Sequence, residues 1–289
     1  MSMQQCLDNI ARLPPPSNHY CPGSICADLQ ADIDKYCKSH NMQPDEPYAT
    51  YSNDGSGKCY CCCYVAAAAA VATPVEVEHG LYRRADTLDV GDRVLATDAS
   101  LDGWTAHTVT GLGGIGPDAP DGFILLGHFR MEGGEVRMLI APADHLFLNA
   151  EPGGAALVPF ARLRPGDRVR AADGGSASVV LTAYIRFSGG VRQVALGPWE
   201  PGDPLDGHLV NTNGLVTADL SVQLAWYAGT LPDALVAGDA ALPAVGSAEF
   251  HAAYDTAAYT AFVSDPARWP PLCRPLADGL PGAGPPARA

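Results

Sequence analysis

Four cysteines occupy the six positions Cys59-Tyr60-Cys61-Cys62-Cys63-Tyr64. A thiolate attacks carbonyl carbon, and a cysteine inside a chain can attack the carbonyl of the residue before it, exchanging an amide for a thioester by an N-to-S shift that a strained peptide bond would ease. The departing amide nitrogen then needs a proton, and an imidazole titrating near neutral pH suits that task. His145 opens an apolar strand in Pro142-Ala143-Asp144-His145-Leu146-Phe147-Leu148 and is the candidate acid. Cys-x-Cys-Cys-Cys lacks the paired spacing of a zinc site, and no matching second Cys or His pair lies downstream, so neither a metal nor a cofactor is expected. His79, His107 and His128 read as surface groups, and His208 lies where a later strand approaches the site.

The segments that must position these groups read as strands and turns. Val75 to Glu78 alternates with period two, and Phe123 to Leu126, Arg137 to Ile140, Leu146 to Leu148 and Ser178 to Phe187 are short β-rich runs bounded by Gly, Pro and Asp. One phrase occurs twice: Leu88-Asp89-Val90-Gly91-Asp92-Arg93-Val94 returns 75 residues later as Leu163-Arg164-Pro165-Gly166-Asp167-Arg168-Val169. In such a phrase Gly allows a positive φ, Asp bonds its own backbone and Val begins a ladder. Two copies imply paired β subdomains about a pseudo-twofold axis, so the expected fold class is mostly β.

A thiol before the first strand, the first Gly-Asp-Arg-Val, the His-Leu-Phe-Leu strand, the second Gly-Asp-Arg-Val and the closing Asn213-Gly214-Leu215-Val216 resemble, in that order, the Hint module of hedgehog carboxy-terminal regions and inteins. The hedgehog branch is more similar: Leu157 to Val169 resembles its second-repeat phrase, and Thr212-Asn213-Gly214 through Leu224-Ala225-Trp226-Tyr227 resembles its closing strands. The resemblance implies a Hint-like pseudo-twofold β-domain that cleaves its own peptide bond near residues 58–63. Its own amino-terminal domain is the substrate, and water, a sterol or a thiol is the acceptor. Two readings of the nucleophile stand. Either Cys63, or another of Cys59 to Cys62, attacks and the alanines after it are an insertion, or the position is Ala67 or Ala68 and the copy is inactive. In the second case the chain is a Cys-rich secreted or surface protein whose Hint-like domain binds or builds rather than cleaves. The catalytic set implied is Cys63, His145 and Asp144. Asp144 either compensates for Pro142, which stands where the family has Thr, or caps a turn. The family's terminal His-Asn pair falls near Ala218-Asp219, which disfavours splicing, and its sterol-activating Asp falls near Gly113-Gly114, with Asp118 and Asp121 the nearest carboxylates.

Composition agrees with two joined pieces. All three Lys and eight of nine Cys lie in the first 63 residues, whereas 14 of 15 Arg follow residue 80. The domains expected are a Cys-rich segment with one helix and several turns at 1–58, a Hint domain at 59–227 and a tail at 228–289, partly helical and then disordered. In the first, Ile25, Leu29, Ile33 and Tyr36 share a helix face; Cys26 and Cys37 on that helix lie too far apart to bond each other. A net charge of -14, without a basic cluster, excludes a nucleic-acid groove. The apolar run from Cys59 to Val75 is short and broken by Pro74, so no transmembrane segment is expected. The first twenty residues hold no apolar signal-peptide core, which leaves localisation open.

Overall fold

The computed structural model describes residues 43–51, 59–64, 69–115, 122–153, 156–187, 189–227 and 229–237, with the single positions 248 and 276. The helix expected at 25–36, both carboxylates Asp118 and Asp121, and, apart from the buried Leu276, the helix and disorder expected after 249 lie outside them. The chain divides into two compact units, Met1–Ala66 with Leu242–Ala252, and Ala67–Ala241 with Ala253–Ala289.

In the first unit β1 (Gln43–Tyr51) pairs antiparallel with β2 (Cys59–Tyr64), Tyr51 opposite Cys59 and Tyr48 opposite Cys62. Residues 1–58 were expected to hold one helix and several turns, and β1 is a strand there although it contains Pro44 and Pro47. A two-stranded sheet has only edge strands, and an edge tolerates proline.

The second unit is almost entirely β. Its first half runs β3 (Ala69–Ala70), β4 (Pro74–Glu78), β5 (Leu81–Arg84), a 3-10 turn at Ala85–Thr87, β6 (Arg93–Thr97), β7 (Thr105–Thr108), β8 (Gly111–Ile115) and β9 (Gly122–Met131). The second half runs β10 (Val136–Ala141), β11 (Leu146–Leu148), β12 (Leu157–Pro159), a 3-10 turn at Phe160–Arg162, β13 (Arg168–Arg170), β14 (Ser176–Phe187) and β15 (Val191–Ala195). The hairpin β16 (Leu209–Thr212) and β17 (Leu215–Ala218) and the helix α1 (Leu220–Tyr227) follow.

The twice-written phrase is a twice-built structure. Gly91 and Gly166 take φ of 99° and 100°. Asp92 Oδ2 accepts the Asp89 amide at 2.9 Å, and Asp167 Oδ2 accepts the Arg164 amide at 2.7 Å. The Gly91 amide donates to Val109 O at 2.9 Å, and the Gly166 amide to Val179 O at 2.8 Å. Leu88 and Leu163 enter the core behind these turns. The correspondence reaches further back than the phrase. Ala85 donates to Thr73 O and Phe160 to His145 O, both at 2.9 Å; Thr73 donates to Ala70 O and His145 to Pro142 O. Thr73 and His145 are therefore mates under the pseudo-twofold.

The halves exchange strands. β9 leaves the first half and lies between β10 and β14 of the second; β15 leaves the second and lies between β3 and β8 of the first. Neither half has a complete sheet without the other. Among the described residues, one apolar cluster is centred on Val75, Leu88, Val94 and Val210 and another on Leu146, Leu157, Leu209 and Val222. Phe129, Phe147 and Phe160 pack ring on ring at centroid distances of 5.1 to 6.2 Å. A bulge in β14 between Val179 and Leu181 leaves Val180 exposed while its neighbours stay buried.

Two further details set the site. The Asn213-Gly214 turn joining β16 and β17 has positive φ at both residues, 54° and 85°, the twist a two-residue hairpin needs. Leu224 to Tyr227, expected as a closing strand, is the end of α1. Its octet is apolar nearly throughout, so periodicity does not separate strand from helix. The deciding residue is Asp219, whose Oδ1 accepts the Val222 amide at 3.1 Å as an N-cap.

Candidate active site

His145 closes the turn that begins at Pro142, its amide donating to Pro142 O at 3.1 Å. Pro142 cannot donate, but its carbonyl makes the bond that turns the chain into β11. The imidazole is 1% exposed and stands edge-on to Phe147, ring centroids 5.5 Å apart. Neither ring nitrogen has a hydrogen-bond partner among the described residues. Burial pushes its pKa down to about 3, so the ring is neutral at neutral pH, with one N–H to give and one lone pair to receive.

The ring faces a cavity of about 20 Å³. Its wall is formed by His145, Gln193, Thr212 and Thr217, with Ala69, Arg192 and aliphatic side chains completing it. Gln193 on β15 is 6% exposed; its Nε2 donates to Ala218 O at 2.7 Å, while Oε1 has no partner among the described residues. The Thr212 and Thr217 hydroxyls bond each other at 2.7 Å across the β16–β17 hairpin. Buried polar atoms are nearly always satisfied, so two such side chains on one cavity mark a place where a further polar group belongs. The thioester reading of the sequence missed Gln193, Thr212 and Thr217. The signal for Gln193 was present: in Val191-Arg192-Gln193-Val194-Ala195 it is the polar residue at the inward parity with Val191.

Of the predicted catalytic residues, Asp144 and His145 have described side chains. Asp144 is fully buried beside His145, and its carbonyl accepts Gln223 Nε2 at 2.9 Å, but it is not among the cavity-lining residues. Gln223 Oε1 in turn accepts the Leu146 amide at 3.2 Å, so α1 clamps both sides of His145. Cys63 belongs to β2 in the first unit, and its side chain lies outside the described atoms. Ala69, not a cysteine, is the first described residue of the chain at the cavity.

A His–Asp pair lies at the start of α1. His208 Nδ1 is 3.0 Å from Asp219 Oδ2, an oxygen that also accepts the Leu196 amide at 2.8 Å. Burial alone would lower the His208 pKa; the hydrogen bond and charge of Asp219, helped by Asp203, outweigh it and raise the pKa above the usual value. His128, expected at the surface, is half-buried in β9 between β10 and β14, and desolvation, helped by Arg130, lowers its pKa to about 4. A central strand gave it little water.

No family model and no curated protein matches this chain. Among solved structures it is similar to a bacterial intein-like domain from Clostridium thermocellum at 17% identity and a TM-score of 0.39, over 54% of this chain and 99% of that one. It is also similar to a DnaB intein from Synechocystis sp. PCC 6803, at 13% identity and 0.40 over 53% and 98%. For the gp41-1 intein the values are 15% and 0.36 over 53% and 98%. Scores of this size do not define a fold by themselves; the pseudo-twofold β-domain rests on the duplicated hydrogen bonds and the exchanged strands.

Proposed function

We propose that this chain is a self-processing precursor of the Hint type, closer to the hedgehog branch, which cleaves its own backbone before Cys63. The Cys63 thiolate attacks the carbonyl of Cys62, the amide becomes a thioester, and His145 supplies the proton to the departing nitrogen. Negative charge forming beside the ring opposes the desolvation that lowered its pKa to about 3, so the neutral imidazole takes up the proton lost by the Cys63 thiol, and the resulting imidazolium passes that proton to the departing nitrogen. The amino-terminal piece then leaves to water or to another nucleophile such as a sterol or thiol. Under this reading the working domain boundaries are 1–58, 59–227 and 228–289, with the seam at the cysteine cluster. The observation that carries it is the fully buried His145 on a cavity at the junction of two exchanged half-domains.

The test is incubation of the purified chain with dithiothreitol or hydroxylamine. Two fragments divided at residues 59–63 are expected, and an intact chain after prolonged treatment removes the reading. One observation favours a second reading: Ala69 lies at the cavity and alanines precede it, so Ala67 or Ala68 would stand where the nucleophile is needed. The chain is then an inactive copy serving as a binding or structural protein. Replacing Ala67 or Ala68 by cysteine separates the two, since cleavage gained only in those variants supports the inactive copy.

A further inference from the structure

The acceptor is the unassigned partner in this chemistry, and the cavity beside His145 limits it. We infer that this cavity is a binding site for the hydrolytic water, with Gln193 the residue that positions it. The inference rests on the self-cleavage reading and narrows it to hydrolysis.

The volume of about 20 Å³ is the size of a single water site. A sterol needs a pocket of roughly 300 Å³ or more with a long apolar wall. A bound water wants two to four polar partners. Among the described residues, Gln193 Oε1 and the His145 ring nitrogens are buried atoms on this wall without a hydrogen-bond partner, and the Thr212 and Thr217 hydroxyls add further polar groups. The bond from Gln193 Nε2 to Ala218 O fixes the amide, which prevents Oε1 and Nε2 from exchanging places. Gln193 therefore presents an acceptor only. An acceptor for one water proton and an imidazole lone pair for the other leave the water oxygen's own lone pairs free for attack.

The step balances without a co-reactant. The water oxygen bonds to the thioester carbonyl carbon and the carbon–sulfur bond breaks. One water proton passes to the His145 ring and from there to the departing thiolate, giving a carboxylic acid and a thiol. Gln193 touches the water rather than the carbonyl, so it acts by position.

The experiment uses the full chain with Gln193→Leu, which removes the acceptor at similar volume, and Gln193→Met as a second variant should the first fail to fold. At a fixed dithiothreitol concentration, mass spectrometry reads the released amino-terminal fragment as free acid or as thiol adduct. The ratio of acid to adduct is expected to fall about tenfold in either variant, the order expected for one lost hydrogen bond. A ratio within twofold of wild type overturns the inference, as does joint loss of both products in both variants, which marks a purely structural residue. A sterol ester formed on adding cholesterol in micelles overturns it as well. If the wild type gives neither product, the self-cleavage reading has failed first and this inference falls with it.

Discussion

His145 and His208 lie under opposite influences, and their titrations carry opposite signs. Burial holds His145 neutral down to about pH 3 and His128 down to about 4, while an unfolded histidine takes its proton near 6.5. Below about pH 6.5 the unfolded chain therefore binds protons that the native one refuses, and stability falls as pH drops toward those values. The urea midpoint should decline between pH 6.5 and 4, and His128→Gln should flatten that decline; an unchanged slope in the variant would show that His128 is not desolvated. His208 runs the other way. Its raised pKa contributes stability below its unfolded value and loses it as pH rises through the folded one. Asp219→Asn should lower the His208 titration midpoint followed by NMR, because the first partner of Nδ1 loses its charge. For cleavage, a ring neutral across this range gives no inflection near pH 6.5. The rate should climb with thiol ionisation toward about pH 8.5, whereas a bell centred on 6.5 would place a different histidine in the reaction. At this scale His145 was legible as the head of an apolar strand. Gln193 was legible only as a polar residue at an inward strand position; its importance comes from the hairpin and strand that long-range pairing brings around it.

Elements repeat with a fidelity that supplies its own test. Gly91 and Gly166 share a φ near 100°, and an added Cβ would meet nothing within 4 Å at either place. The cost of Gly91→Ala or Gly166→Ala is thus backbone strain alone, about 1–2 kcal/mol each. The two losses should agree within experimental error in urea denaturation, and a large inequality would mean the turns are not equivalent. Asp92 and Asp167 make the same local bond in each copy, and the two leucines behind them fill the same kind of place. This much was legible because a turn is local: seven residues specify it. α1 was misread as strand since its octet lacks a period and its start is decided by Asp219, a cap tied to Leu196 and His208 from other elements. The β1–β2 pairing was not read from the sequence, because it is set by partners such as Tyr48 and Cys62 that are distant along the chain.

The whole second unit is two half-domains that complete each other, and this bears on function more than any single strand does. β9 and β15 each cross into the other half, so the β10–β11 turn carrying His145, the β16–β17 hairpin carrying Thr212 and Thr217, and β15 carrying Gln193 are brought to one cavity by the exchange. The duplicated phrase announced two halves; nothing in it announced the crossing, which depends on pairings such as Arg192 with Gly114 and Ala183 with Leu126. Damage behind the cavity wall should therefore reach it. Phe160→Ala, which opens the ring cluster of Phe129 and Phe147, should cost about 3–5 kcal/mol by thermal or urea unfolding and reduce cleavage as it does so. His145→Ala should slow cleavage by about 10²-fold or more at an unchanged fold, as loss of a positioned acid does. The most direct test of the central claim is the intact mass of the fragments released when the full chain and its Cys63→Ala variant are incubated with hydroxylamine. The account predicts a break between Cys62 and Cys63 in the wild type and none in the variant; an uncut wild type, or a variant cut at the wild-type rate, would contradict it.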